Sequence, residues 1–205
     1  MYSQVLTERT KNTLALLGKE KILKDCYLSG GSALALHLGY RLSFDLDFFT
    51  PVLFERKKII QKLEPFGLKV EREDWGTILG KLGDIKFSLF YYKYPLITET
   101  IDYHGIKIAS LEDIAAMKID AVSSRGTKRD FIDLYFLLKK FGSFDDLLKF
   151  YDQKYQKLEA NRFHIIKSLE YFGDADREED PKMLISNYSW EEVKKILQEE
   201  VRKLI

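Results

Sequence analysis

Hydrophobic and polar positions follow two different periods in the first part of the chain. Residues 4–25 carry apolar side chains at helical spacing among charged ones, which predicts a helix. The run 44–49 alternates strictly between apolar and polar, and together with the short apolar run 26–28 it predicts strands. Further helices are expected over 33–38, ending at a glycine, and over 55–63. This part of the chain therefore mixes helices and strands.

Residues 68–108 have a different character. Three or four short runs rich in Val, Ile, Phe and Tyr lie between glycine-containing turns, which is typical of an antiparallel meander. After Ser110 the pattern is helical, and a capping-box spacing begins it. Helices are predicted over 110–123, 128–141, 144–157, 159–172 and 189–204. An acidic loop at 174–180 is expected to be solvated.

These elements predict an α+β fold, in which a small mixed sheet with flanking helices is followed by a C-terminal helical bundle. We expect an α/β core over residues 1–108 and a helical region over 109–205, packed on the core.

Composition narrows the class of protein. Among 205 residues, 33 Lys and Arg oppose 32 Asp and Glu, and this balance argues against coating nucleic acid by bulk charge. No apolar run approaches the roughly 20 residues of a membrane span, and charges occupy the first 24 residues, so we expect a cytoplasmic protein. The single cysteine, Cys26, excludes an internal disulfide and a Cys-rich zinc site. The 24 Lys and 16 Glu against three Asn and five Gln are typical of thermophiles.

Asp45-Leu46-Asp47 is the first candidate for chemistry. In a strand, residues two apart share a face, so the two aspartates project together while Phe44, Leu46 and Phe48 point into a core. Adjacent carboxylates repel each other unless a cation lies between them. Mg²⁺ prefers carboxylate oxygens combined with substrate phosphate oxygens, so the pair predicts a magnesium site.

Gly30-Gly31-Ser32 complements the carboxylates. Glycines allow a ligand to approach the backbone closely, and amides at the start of the following helix favour phosphate. The Ser32 hydroxyl is expected to add a hydrogen bond. A strand, this turn, a helix and an Asp-x-Asp strand are together far more specific than either motif alone.

The combined pattern resembles the signature of the DNA polymerase β-like nucleotidyltransferase superfamily. The longer strings LSGGSALAL, from Leu28, and RLSFDLDFF, from Arg41, are similar to the AbiEii/AbiGii toxin family of abortive-infection toxin–antitoxin systems. The resemblance covers roughly residues 25–140. It implies a polymerase-β-like fold and an enzyme that transfers a nucleoside monophosphate from an NTP to an acceptor. An RNA acceptor, such as tRNA, and a cognate antitoxin are also implied.

The resemblance assigns roles to individual residues. It implies Mg²⁺, with Mn²⁺ as a substitute, on Asp45 and Asp47. It implies nucleotide contacts from Gly30, Gly31, Ser32, Arg41 and Ser43.

A second group supports the resemblance, because the family has a similar helix motif and a later basic-acidic segment. Lys118 and Arg125 are seven residues apart and so share a helix face, which is expected to bind phosphate. Lys118 is therefore a predicted catalytic residue, and Lys128 is expected to help bind the nucleotide. The supporting carboxylates are Asp120, Asp130 and Asp133.

The chain departs from the superfamily in one respect. A later strand usually supplies a third carboxylate, but in the strand 84–90 the matching register offers Ser88. Asp84 lies at the entrance of that strand and would need a different geometry. One metal ion on two aspartates is therefore the expected arrangement.

Several alternatives remain open at this point. A degenerate site would leave a non-catalytic nucleotide-binding or partner-binding module, and a small molecule could replace RNA as acceptor. A kinase is disfavoured because the glycine turn lacks the Lys-Ser/Thr of a P-loop. The run 91–94, Tyr-Tyr-Lys-Tyr, could stack on a nucleobase, although a cluster at a sheet edge is favoured.

Overall fold

The computed structural model describes residues 1–156 and 162–204. The chain forms two compact units, made of Met1–Pro95 with Glu99–Ser110 and of Leu96–Thr98 with Leu111–Ile205. The division expected after residue 108 differs from this mainly in the short segment Leu96–Thr98, which the structure assigns to the second unit.

The first unit contains a mixed sheet and three α-helices, which confirms the predicted α+β fold. Its strands are β1 (Tyr27–Ser29), β2 (Leu46–Thr50), β3 (Leu68–Asp74), β4 (Thr77–Leu82), β5 (Ile85–Tyr91), β6 (Ile101–Tyr103) and β7 (Ile106–Ile108). Its helices are α1 (Glu8–Lys19), α2 (Gly30–Leu38) and α3 (Arg56–Leu63).

Helix α1 is shorter than the helix predicted over 4–25. The Thr7 side chain accepts a hydrogen bond from the Thr10 amide and so caps the helix at Glu8. The helix ends at Lys19, and Lys21 has a φ of +51°, which a continuing helix does not allow.

The sheet has the strand order β3-β4-β5-β2-β1-β7-β6. Strands β3, β4 and β5 form the antiparallel meander that the pattern predicts, but β6 and β7 form a separate hairpin at the opposite end of the sheet. Strand β5 pairs in parallel with β2, and β7 pairs in parallel with β1. The sheet is therefore mixed, and β2 lies at its centre.

Burial along β2 follows the predicted alternation. Leu46 and Phe48 are fully buried, and the Phe48 ring centroid lies 5.8 Å from that of Phe87 on β5. Asp47 and Phe49 are half-buried on the opposite face. The prediction was wrong for Phe44, which is 45% exposed because the strand begins only at Leu46.

The second unit is helical in its described part. Its helices are α4 (Leu111–Ser124), α5 (Lys128–Phe141), α6 (Phe144–Tyr155), α7 (Arg162–Ser168) and α8 (Trp190–Arg202). The start of the helix predicted over 159–172 lies outside the described residues, and α7 ends at Ser168. In the described part of the chain, none of the helices has both the length and the apolar character to cross a bilayer.

A fully buried ion pair links two helices of the second unit. Lys154 Nζ on α6 lies 2.6 Å from Asp113 Oδ1 on α4, and both side chains are completely buried. Asp113 also accepts hydrogen bonds from the Ile97 and Thr98 amides. These bonds explain why Leu96–Thr98 belongs to the helical unit.

We expect Lys154→Met to lower the free energy of unfolding by about 3 kcal/mol, because the change leaves the Asp113 carboxylate buried without its cation. Urea denaturation at neutral pH measures this. Lys149→Met, on the exposed face of the same helix, is the matched control and should unfold at the same urea concentration as wild type. Adding Asp113→Asn to Lys154→Met should recover part of the loss; a further loss would contradict this account.

Candidate active site

Helix α2 begins directly beside the carboxylate strand. Ser29, the last residue of β1, pairs with Asp47 in the antiparallel ladder of β1 and β2. Gly30 follows with a φ of +68°, which favours glycine. A Cβ atom added at Gly30 would lie 3.2 Å from Asp47 Oδ2. The Gly-Gly-Ser and Asp-x-Asp motifs therefore lie together in the structure.

The start of α2 suits an anion. The Ser29 side chain makes no capping hydrogen bond to the helix, so no N-cap side chain satisfies the first-turn amides. These amides and the helix dipole attract phosphate groups. A phosphate bound there would lie next to the Asp47 carboxylate.

Arg41 adds positive charge at the same place. Its side chain is 3% exposed, and its Nη1 donates a hydrogen bond of 3.0 Å to the Leu42 carbonyl. A Cβ atom at Gly31 would lie 2.4 Å from Arg41 Nη2, so a side chain there would displace the guanidinium. The predicted nucleotide-binding residues Gly31 and Arg41 thus lie next to each other.

The Ser32 hydroxyl bonds to the protein itself and not, as predicted, to phosphate. It is 1% exposed, and its hydroxyl donates a hydrogen bond to the Asp45 carbonyl and lies 2.8 Å from Ser43 Oγ. A hydroxyl carries one hydrogen, and a carbonyl oxygen only accepts, so the hydrogen of Ser32 is used within the protein. Ser32, supported by Ser43, therefore positions the backbone of Asp45.

A serine stands at the position where a third carboxylate would lie, as the sequence predicts. Ser88 on β5 pairs with Asp47 on β2 and is buried. Asp84 instead forms an exposed ion pair, in which its Oδ1 lies 2.8 Å from Arg9 Nε. No group of three or more His, Cys, Asp or Glu residues able to hold a metal occurs within 1–156 and 162–204.

The second predicted group forms a cluster within the helical unit. Lys118 Nζ on α4 lies 2.8 Å from Asp130 Oδ1 and 2.6 Å from Asp133 Oδ2 on α5. Arg125 donates to both oxygens of Asp130, at 2.8 and 3.0 Å. Lys118 is buried by this cluster, whereas the Arg125 side chain is 62% exposed. The expectation that Lys118 binds phosphate is therefore corrected, because two carboxylates already hold its ammonium group.

The Asp130 carboxylate is strongly stabilised in its charged form. Burial alone would raise the pKa of Asp130, but the Lys118 and Arg125 charges and their hydrogen bonds outweigh it and hold that pKa well below its usual range. Thr127 adds a hydrogen bond of 2.7 Å to Asp130 Oδ2. Sequence reasoning missed Thr127, although its spacing to Asp130 is that of a capping box.

Lys128 is also buried rather than exposed. Its Nζ lies 3.2 Å from Asp180 Oδ1 and donates to the Glu178 carbonyl. The acidic loop predicted to be solvated thus binds this lysine. Asp120, the remaining predicted support residue, lies on the exposed side of α4.

The mixed sheet, with its carboxylate strand beside a glycine-started helix, defines a protein of the nucleotidyltransferase fold. MenT4, a nucleotidyltransferase toxin from Mycobacterium tuberculosis H37Rv, aligns with a TM-score of 0.56 and 16% identity over 96% of this chain and 82% of that one. JHP933 from Helicobacter pylori aligns with a TM-score of 0.54 and 20% identity, over 97% and 93%. The antibiotic-resistance factor ANT(2'')-Ia gives 0.53 and 15%, over 76% and 98%. At such identities the likeness shows the fold alone.

Residues 91–195 match the family of the nucleotidyl transferase AbiEii toxin of type IV toxin–antitoxin systems, and the chain belongs to this family. An uncharacterized protein of Aquifex aeolicus (strain VF5) is 39% identical over 196 residues, which is 90% of each chain. The matched range lies mostly in the helical unit, whereas the glycine and aspartate motifs precede it. Membership confirms the family that the sequence resembles and identifies the protein as a nucleotidyltransferase.

We expect Asp130→Asn to lower the free energy of unfolding by about 3 kcal/mol at pH 7, because it removes the shared partner of Lys118 and Arg125. The native pKa of Asp130 is depressed, so its stabilisation is fully present above its ordinary value, about 4, and is lost as the pH falls further. Urea denaturation between pH 7 and 2.5 should therefore show the two proteins converging only below about pH 4. Asp145→Asn, at an exposed position on α6, is the control. A constant difference down to the lowest pH would contradict the assignment.

Proposed function

We propose that the protein transfers a nucleoside monophosphate from an NTP to an RNA acceptor, with tRNA as the first candidate, and releases pyrophosphate with the help of Mg²⁺. The position of Gly30 beside the Asp47 carboxylate carries this proposal. It brings a phosphate-binding helix start and a candidate metal ligand to one point of the sheet. Family membership supports the reaction type.

The residues present fit one divalent cation. Asp45 and Asp47 are both half-buried, and the alternating burial from Asp45 to Thr50 agrees with a shared face for the two carboxylates. Two carboxylates together with substrate phosphate oxygens are a set of ligands that Mg²⁺ favours, and Mn²⁺ accepts the same oxygens. When bound, the ion would neutralise phosphate charge and favour departure of pyrophosphate.

The remaining residues of the site bind and orient. The first-turn amides of α2 would hold the triphosphate, and the guanidinium of Arg41 would add positive charge to the same helix start. Ser32 would keep Asp45 in place through its carbonyl. The nucleotide would thus meet preorganised groups, which is the main protein contribution to phosphoryl transfer.

The basic residues of the helical unit have separate proposed roles. Among Lys118, Arg125 and Lys128, Arg125 has the exposed side chain, which would allow it to contact a nucleic-acid phosphate. Lys118 would act by fixing Asp130 and Asp133, and Lys128 by fixing the acidic loop. Because the family consists of toxins of toxin–antitoxin systems, we also propose a cognate antitoxin as partner and the cytoplasm as location.

A second candidate function is a nucleotide-binding module without catalysis. Ser88 favours it, because this residue occupies the position beside Asp47 where the superfamily usually has a third carboxylate. Such a module would bind NTP and form no product.

We expect Asp45→Asn and Asp47→Asn each to abolish transfer of label from α-³²P-NTPs to total tRNA, because each removes one of two proposed metal ligands. The free energy of unfolding should stay within about 1 kcal/mol of wild type, since neither side chain belongs to the core. Asp84→Asn is the matched control and should retain transfer, because Asp84 pairs with Arg9. Transfer that survives both site substitutions would refute the proposal, and NTP binding without transfer in the wild type would favour the binding module.

We expect Gly30→Ala to reduce transfer by at least about tenfold, because its Cβ would crowd Asp47 and strain the start of α2. Gly67→Ala isolates the strain alone: Gly67 has a similar φ of +83°, but its Cβ would meet nothing closer than 3.6 Å. Both variants should lose about 1 to 2 kcal/mol of stability from a positive φ, and only Gly30→Ala should lose transfer. Equal transfer by the two variants would argue against the contact.

A further inference from the structure

Aromatic side chains lie beside Asp47 on the same face of the sheet. Asp47 pairs with Ser88, and two residues further along the parallel strands Phe49 pairs with Phe90. Because residues two apart share a face, both rings stand on the Asp47 side, about 7 Å along the strands. We call the side of the sheet that carries Asp47, Ser88, Phe49 and Phe90 the carboxylate face.

Phe49 is the centre of this aromatic group. Its ring centroid lies 5.3 Å from Phe90, 5.4 Å from Tyr92 and 6.0 Å from Tyr27. Phe49, Phe90 and Tyr92 are half-buried, so part of each residue is accessible. The expected sheet-edge cluster is corrected, because β5 pairs on both sides and Tyr92 follows the end of an inner strand.

Three lysines lie on the other side of Asp47 on the carboxylate face. Lys86 on β5 is directly opposite Lys81 on β4, which is directly opposite Lys69 on β3. Lys86 is two residues before Ser88 and so shares its face. All three are exposed, and Glu71 pairs with Lys81 at 3.2 Å. Like charges directly opposite one another destabilise a sheet, so a polyanion bound across this row would relieve repulsion.

Aromatic rings next to a row of cations are the combination that binds single-stranded nucleic acid, with bases stacked on the rings and phosphates on the lysines. We propose that the carboxylate face binds a single-stranded polynucleotide, with a base on Phe49, Phe90 and Tyr92 and phosphates along Lys86, Lys81 and Lys69. Its identity as the acceptor strand rests on the proposed function. A duplex hides the faces of its bases and should bind more weakly. An acidic peptide would use the lysines and not the rings.

The test is fluorescence anisotropy with a labelled single-stranded RNA of about 12 nucleotides, measured over a range of salt concentrations. Lys81→Gln/Lys86→Gln should weaken binding and reduce the slope of log affinity against log salt by about 1.4, the value for two phosphates on a single strand. Tyr92→Leu should weaken binding at least about fivefold with little change in slope. NTP affinity, measured by calorimetry, should not change in either variant.

Matched controls show whether an effect on RNA binding is specific to the carboxylate face or follows from the loss of any exposed lysine or tyrosine. Lys57→Gln/Lys62→Gln removes two exposed lysines on α3, and Tyr171→Leu removes a tyrosine that is 64% exposed in the helical unit. Both should bind the RNA like wild type.

The outcomes distinguish this inference from the proposed function. If the carboxylate-face variants bind RNA like wild type while nucleotide transfer persists, the inference is overturned and the proposed function stands. If RNA binding depends on the face but the wild type transfers no nucleotide, the inference stands and the proposed function fails. Equal affinity for duplex RNA, or loss of NTP binding in Tyr92→Leu with RNA binding intact, would overturn the inference.

Discussion

The antiparallel pairing of β1 with β2 is the constraint on which the candidate active site depends. It places Ser29 opposite Asp47, and the chain then turns directly into α2 through a glycine with positive φ. A residue with a side chain at Gly30 would meet both backbone strain and the Asp47 carboxylate. Backbone geometry therefore places the start of α2 beside the Asp47 carboxylate. The hydrogen bond from Ser32 to the Asp45 carbonyl links Asp45 to the same helix start.

The helical unit is organised by a different principle, the neutralisation of buried charge. Lys118, Lys128 and Lys154 are all buried, and each is within 3.2 Å of at least one carboxylate oxygen. Removing an ammonium group from water is costly unless a carboxylate compensates it, so each of these lysines is buried where a carboxylate is close to its ammonium group. The residues that join α4 to α6 are 41 positions apart, so the pairing appears only when the chain has folded.

The two units carry different signs of nucleotidyltransferase function. The family match covers mainly the helical unit, whereas the candidate metal ligands and the helix start that suits phosphate belong to the sheet. Ser88, and not a carboxylate, stands beside Asp47 on β5. A cation held by Asp45 and Asp47, as proposed, would therefore complete its coordination with substrate oxygens.

Local patterns determined much of this protein from its sequence. The alternation through Asp47 and the helix ending at Gly39 depend on neighbours within a few residues, and both are present in the structure. The family resemblance likewise came from short strings around two motifs.

Tertiary structure alone decided the rest. The separation of the β6–β7 hairpin from the meander, the burial of Lys118 and Lys128, and the partner of the Ser32 hydroxyl all depend on residues distant in the chain. The same is true of the aromatic and lysine rows on either side of Asp47, because strand order and register bring together residues that no sequence period connects. A sequence period reports which face a residue occupies, whereas the partner on that face is set by the packing of the whole unit.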